Sequence, residues 1–304
     1  MKQLFILALL IACALLAGCS GSIIENSAPL STVPDVKLDE LFEASLPGPS
    51  LPPYDKPDEI ICTDYTDRGL LRVCYQNDTD AKLKLEVLSG SEKVFYNLKG
   101  DGSIEDFSLQ YGSGKYTARI WQNIKDSDYF AVESKSFSVS LADETSAYLN
   151  SIQNVDWNYE KTPIKDVRYI VSGTLKQMPE NLLYDCGVDI YSYIVRNVKY
   201  DDDKIFTLEY DYLPDIEQTY KDGMGICYDY ASLFASMLRS INVPSKLVKG
   251  YASYNPSVYH AWNEVYVDGK WMVIDITRDA SLFGSGSRFV IEKKQEDYVK
   301  IHEY

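Results

Sequence analysis

The chain has 304 residues and is acidic, with 45 Asp and Glu against 30 Lys and Arg and a formal charge of −15. That balance argues against nucleic acid as a partner and against an electrostatic clamp onto anionic lipid. Only two histidines occur and no close cysteine pairs, so no zinc pattern can be assembled.

Residues 1–18 read as a signal segment: Lys2 supplies a positive start, and Leu4 to Leu16 is an apolar run of 13 residues. This is short of the roughly 20 residues a spanning helix needs. Leu16-Ala17-Gly18-Cys19 resembles the bacterial lipobox, in which the Cys is acylated (palmitate is one such chain) and becomes the mature N-terminus. The resemblance implies lipid attachment at Cys19 and a membrane-anchored protein held outside the cytoplasm by acyl chains. Losing Lys2 would leave the mature chain one unit more acidic.

Residues 19–57 read as a flexible tether holding seven of the 12 prolines, with an r.m.s. reach of roughly 35 Å. Within it, Val36 to Phe42 could form a helical turn or two and dock.

Residues 58–142 read as all-β. Leu83, Leu85 and Val87 alternate with polar residues, as do Phe107, Leu109 and Tyr111, and Phe137, Val139 and Leu141. About seven short strands predict a small sandwich of immunoglobulin-like type, whose plainest role is a spacer or targeting module. Cys62 and Cys74 fall on two short β-like runs, so a hairpin could set them face to face as a possible disulfide in an oxidising compartment.

Residues 143–304 mix helices and strands, giving an α+β unit. Asp143-Glu144-Thr145 offers a cap for a helix through about Ile152. Ile190, Ile194 and Val198 make one helical face, on which Cys186 reads as a buried thiol; its alternative, a disulfide to Cys227, would silence that thiol. An acidic, Tyr-rich stretch follows, with a short helix around Leu213 to Thr219. Its residues Asp201, Asp202, Asp203, Asp211 and Asp215 could bind calcium, though such clusters are usually solvated loops; otherwise no cofactor or metal is implied. Tyr200, Tyr210, Tyr212, Tyr228, Tyr230 and Tyr251 could line a cleft or fill the core.

The chemistry concentrates in three residues. Gly223-Met224-Gly225-Ile226-Cys227 is a glycine turn running into a helix that Asn242 and Pro244 end. At a helix N-terminus, unpaired N–H groups and the dipole favour a thiolate and can hold a developing oxyanion. His260 opens a strand, Asp268-Gly269 is a two-residue hairpin turn, and Lys270 begins the return strand, followed by a last strand near Phe289. A turn centred there sets Val267 against Lys270 and His260 against Thr277, with Asp275 two residues along on the same face. Thiol, imidazole and carboxylate in this arrangement suit a nucleophile, its base and the base's orienter.

Gly225-x-Cys227, Val248-Lys249-Gly250-Tyr251, His260-Ala261-Trp262-Asn263-Glu264-Val265, Gly269-Lys270-Trp271 and Asp275-x-Thr277 together resemble the transglutaminase-like superfamily, within the papain-like cysteine enzymes. The likeness covers roughly residues 185–280. It departs from the family at Ile276, where Pro often follows the Asp, and at Asn242-Val243, where Gly-Ile commonly precedes Pro. The resemblance implies a transglutaminase-like domain with Cys227 as nucleophile, His260 as base and acid, and Asp275 as orienter. It also implies acyl transfer or hydrolysis through a thioester, and a protein, peptide or cell-wall peptide substrate. An oxyanion side chain is expected shortly before the nucleophile, with Gln218 and Tyr220 as candidates. The competing function is a triad-bearing module that only binds or adheres.

Overall fold

The computed structural model describes residues 35–209 and 211–304. The signal segment, Cys19 and Tyr210 lie outside the described residues. No helix among the described residues is long and apolar enough to cross a membrane.

The tether is corrected from residue 35 onward. Helix α1 (Asp35–Ser45) docks through buried Leu38 and through Asp39, which meets Arg168 at 2.7 Å. Leu46 is buried just beyond it. The proline-rich run that follows is laid along the fold by its carbonyls: Pro49 accepts from the Tyr159 hydroxyl at 3.0 Å, Ser50 from Arg68 and Pro53 from Arg72. Prolines lack N–H groups but keep acceptors, so neighbouring guanidinium and phenol donors can hold such a segment. Gly48 fits where a Cβ would lie 2.3 Å from the Ser240 carbonyl.

Seven antiparallel strands follow: β1 (Ile61–Cys62), β2 (Leu70–Val73), β3 (Leu83–Ser89), β4 (Glu92–Leu98), β5 (Glu105–Ser108), β6 (Gly114–Lys125) and β7 (Asp128–Val139). They form two sheets, β1-β2-β5 and β4-β3-β6-β7. The alternating residues Leu83, Leu85, Val87, Tyr116, Ala118 and Ile120 all point into the core.

The disulfide expectation fails on register. Cys62 pairs with Arg72, and the Cys74 N–H bonds to the Ile60 carbonyl, so the two cysteines stand two residues out of step. Such a diagonal holds Cβ atoms about 7 Å apart, whereas a disulfide needs about 4 Å. Both thiols are free, and the Cys74 sulfur sits 3.1 Å from the Gly102 carbonyl.

In place of the helix expected from Asp143 there is a 3-10 turn, Ser146–Tyr148. The Asp143 carboxylate spends its capping capacity locally, accepting from the Thr145 N–H at 2.7 Å. The mixed unit then runs α2 (Thr162–Ile170), α3 (Ser172–Gln177), α4 (Leu182–Asn197), β8 (Lys199–Tyr200), α5 (Ile216–Asp222), β9 (Met224–Gly225) and α6 (Cys227–Ser240). It continues through β10 (Ser245–Ala252), β11 (Tyr259–Val267), β12 (Lys270–Ile274), α7 (Ile276–Gly284), β13 (Glu292–Lys293) and β14 (Tyr298–Glu303). The main sheet is antiparallel in the order β13-β12-β11-β10-β14, and β8 pairs with β9 in parallel.

Helix α6 is buried on nearly every side, as its apolar and small residues require. It packs against β10 and β11 on one side and α2, α4 and α5 on the other. The core does not stop between the β unit and the mixed unit: Tyr96 meets Tyr304 edge-on at 5.8 Å, and the Gln110 amide donates to the Glu303 carbonyl at 3.3 Å.

Candidate active site

The chain reaches Cys227 through a tightly held turn. Gly223 closes α5 at φ 61, a left-handed conformation that costs glycine little. Lys199 N–H donates to the Gly223 carbonyl at 2.8 Å and Asp201 N–H to that of Gly225 at 3.0 Å, so the approach strand is clamped on both sides. Ile226 is extended, and its N–H donates to the Asp229 carboxylate at 2.8 Å. Asp229 is wholly buried, meets Lys204 at 2.7 Å and accepts the Tyr212 hydroxyl. Cys227 is thereby fixed, half-buried, as the first residue of α6, where the helix N–H groups have no partners within the helix.

The hairpin forms with the expected register, Val267 opposite Lys270 and Asn263 opposite Ile274, through a turn with φ 50 at Asp268 and 80 at Gly269. β12 ends one residue before Asp275, which turns out of the strand and caps α7 by accepting the Arg278 N–H at 3.0 Å. Thr277 therefore lies in a helix and not opposite His260. Asp275 still meets His260: Nε2 lies 2.9 Å from its Oδ2. The same oxygen accepts from the Tyr254 hydroxyl at 2.8 Å and the Tyr298 hydroxyl at 2.9 Å.

Burial opposes charging of His260, but its hydrogen bonds to Asp275 and to the Cys227 thiol outweigh burial and push its pKa up to about 10. Burial works against ionised Asp275 too, yet the His260 bond and the Arg278 and Tyr254 donors hold it below its ordinary value. With Nε2 committed to Asp275, Nδ1 is the ring nitrogen left for the sulfur. Cys227, His260 and Asp275 thus converge in one site.

Neither oxyanion candidate points there. The Gln218 amide bonds to Asp222 one turn along its own helix, and the Tyr220 hydroxyl donates to Asp166 on α2 at 2.9 Å. Spacing from Cys227 could not reveal which face of α5 each would occupy. The phenol nearest the thiol is Tyr200, whose pKa is pushed up to about 12 by burial and the neighbouring sulfur. Of the other tyrosines, Tyr228 and Tyr230 are core, and Tyr251 is exposed and packs edge-on against Tyr259.

The acidic stretch has local work: Asp201 accepts the Lys204 N–H at 3.0 Å and Asp215 caps α5. No group of three or more metal-binding side chains converges among the described residues. Cys186 is fully buried and free, and burial pushes its pKa up to about 12.

Residues 173–276 match the family model of the transglutaminase-like superfamily. Over 145 residues the chain is 28% identical to kyphoscoliosis peptidase of Mus musculus, and over 150 residues 28% identical to that of Homo sapiens. Each match covers 42% of this chain and 21% of the relative, so the chain spans about a fifth of the length of those proteins. Among solved structures, a candidate cysteine protease from Cytophaga hutchinsonii is similar at 17% identity, covering 76% of this chain and 73% of its own, with a TM-score of 0.40. Red sea bream transglutaminase is similar at 12% identity, covering 68% of this chain and 48% of its own, with a TM-score of 0.32.

Proposed function

We propose that this chain, which carries a transglutaminase-like domain, is a surface-anchored thiol enzyme that transfers or hydrolyses the acyl group of protein or peptide amides. The observation behind the reading is a histidine bonded on one side to a buried carboxylate and on the other to a thiol at a helix start. A raised His260 pKa lets the imidazole hold the proton that the sulfur gives up.

The chemistry follows from that pairing. The Cys227 sulfur attacks the carbonyl carbon, a C–S bond forms, and the π pair moves onto oxygen. In this reading the Cys227 N–H and the nearby Tyr200 hydroxyl receive that oxygen. His260 passes its proton to the leaving amine as the C–N bond breaks, leaving a thioester. Water or an amine, giving its proton to His260, attacks the thioester and releases the sulfur. Asp275, held by two phenols and a backbone N–H, keeps the ring oriented throughout.

Thiol labelling tests this. Cys227 should react with iodoacetamide near neutral pH well ahead of Cys186, and His260→Ala should slow it by about tenfold or more. If Cys227 reacts no faster than Cys186, the domain is a binding module and not an enzyme. A glutamine peptide offered with a labelled amine separates the two outcomes of the thioester, since a pure hydrolase incorporates none.

Anchoring through Cys19 is the second part of the proposal, supported by the Leu-Ala-Gly-Cys run after a short apolar segment. Cys19→Ser should move the protein from the membrane fraction to the soluble one, and retention in the membrane would reject acyl anchoring.

A further inference from the structure

Lys249 stands beside the nucleophile with no carboxylate to answer it. On β10 it alternates with Gly250, the partner of His260, and so projects to the opposite face of the sheet, against α6. Its Nζ lies 3.4 Å from the ring centroid of Tyr228, the residue next to Cys227, and 5.4 Å from that of Tyr304. Five other lysines drawn into the fold meet carboxylates at 2.6–3.3 Å: Lys161 with Asp156, Lys204 with Asp229, Lys246 with Glu303, Lys293 with Asp279 and Lys300 with Glu264. Lys249 has none among the described residues; burial lowers its pKa to about 8, and the only charge raising it is that of the Cys227 sulfur.

This is notable in a chain with 45 acids and 30 bases, where a counter-charge is easily found. The carboxylates nearest the helix start are already engaged, Asp229 by Lys204 and Asp275 by His260. Aromatic faces offset part of the cost of drawing an ammonium from water, yet lysines are seldom taken into a fold unpaired. A cation left without a counter-charge beside a candidate nucleophile is a candidate functional group. Lys249 is half-buried, so part of its side chain meets solvent. An acyl donor can bring the missing anion.

We propose that Lys249 is a specificity-determining residue that binds a carboxylate on the acyl donor, close to the carbonyl that Cys227 attacks. The enzyme's preferred substrates are then acidic peptides, their carboxylate supplied by a side chain or by a chain terminus. The proposal rests on the thiol-enzyme reading, and its test separates the two.

Two alkylating agents of nearly equal size differ in this one property: iodoacetate carries the carboxylate and iodoacetamide is neutral. The ratio of their second-order rates at Cys227 isolates the effect of an anion beside the sulfur, while His260 contributes equally in every variant. Lys249→Gln should lower the iodoacetate-to-iodoacetamide ratio by about five- to tenfold, as expected for losing one nearby unit charge in a partly solvated site. Lys249→Arg should keep it. The iodoacetamide rate in Lys249→Gln also reports whether the site is still assembled. As competitors of iodoacetamide, N-acetylglutamate α-amide and N-acetylalanine present the side-chain and the terminal carboxylate. The one that protects wild-type Cys227 but not Lys249→Gln identifies the source, and protection by neither counts against the proposal. If Lys249→Gln slows both alkylating agents equally, the ammonium serves only the sulfur and the proposal is overturned. A Cys227 no more reactive than Cys186 sinks the thiol-enzyme reading and this proposal with it. A reactive Cys227 with an unchanged ratio sinks this proposal alone.

Discussion

The Tyr200 phenol lies near the Cys227 sulfur and backbone N–H, where a substrate's carbonyl oxygen must arrive. On acyl attack the hydroxyl can donate, with the backbone N–H, to the new oxyanion. Removing one such donor typically costs about 100-fold or more in turnover. Tyr200→Phe should therefore lower kcat by about that factor while Cys227 alkylation by iodoacetamide stays within about threefold, since no oxyanion forms in alkylation. Equal losses in both would mean that the phenol builds the site and does not act on the acyl group. Sequence lists Tyr200 among six tyrosines for cleft or core but cannot single it out, because its link to Cys227 runs through a parallel bridge of two residues per strand, too short to leave a period. The thiol itself was legible because a glycine turn before an apolar helix is a local signal. Asp275 shows both sides: its pairing with His260 follows from the hairpin, whereas its role as the cap of α7 competes with a strand pattern that runs on through Ile276.

At the level of elements, the Asp268-Gly269 hairpin carries the site's register, while β14 supplies what the hairpin cannot. Tyr298 reaches Asp275 from that edge strand, across β10 and β11. The alternation Val299-Lys300-Ile301-His302 suits a strand but misplaces its faces, because Val299 and Ile301 are the exposed residues of β14. Its closeness to β10 depends on Gly250, where the register shifts and a Cβ would lie 2.0 Å from the Val299 carbonyl and 2.9 Å from the Trp262 ring. The nearest obstacle is backbone, so it cannot swing aside as a flexible side chain would. Gly250→Ala should push β14 outward, cost about 2–3 kcal/mol in denaturant unfolding and weaken the Tyr298–Asp275 bond, slowing turnover as well. Unchanged stability would mean that β14 is free to slide and that the clamp on Asp275 is loose.

Across the whole molecule, the β unit and the mixed unit behave as one core, and Glu303 is where charge enters the joint. It meets Lys246 at 3.1 Å and Lys300 at 2.6 Å, and the Tyr148 hydroxyl donates to it from the segment linking the two units. Lys246 also lies over the Tyr148 and Trp271 rings, at 4.6 and 4.4 Å from their centroids. Burial raises the cost of ionising Glu303, but Lys246, Lys300 and the Tyr148 hydroxyl outweigh it and hold the pKa below the ordinary 4.5. A carboxyl whose folded pKa is depressed stabilises the fold above its unfolded pKa and loses that contribution as pH falls through its folded one. Replacing it leaves Lys246 and Lys300 to share Glu264 alone, so Glu303→Gln should cost about 2 kcal/mol near neutral pH. The gap between wild type and variant should close as unfolding is measured at progressively lower pH beneath 4.5. A gap constant with pH would show that packing of the side chain, and not its charge, holds the two units together.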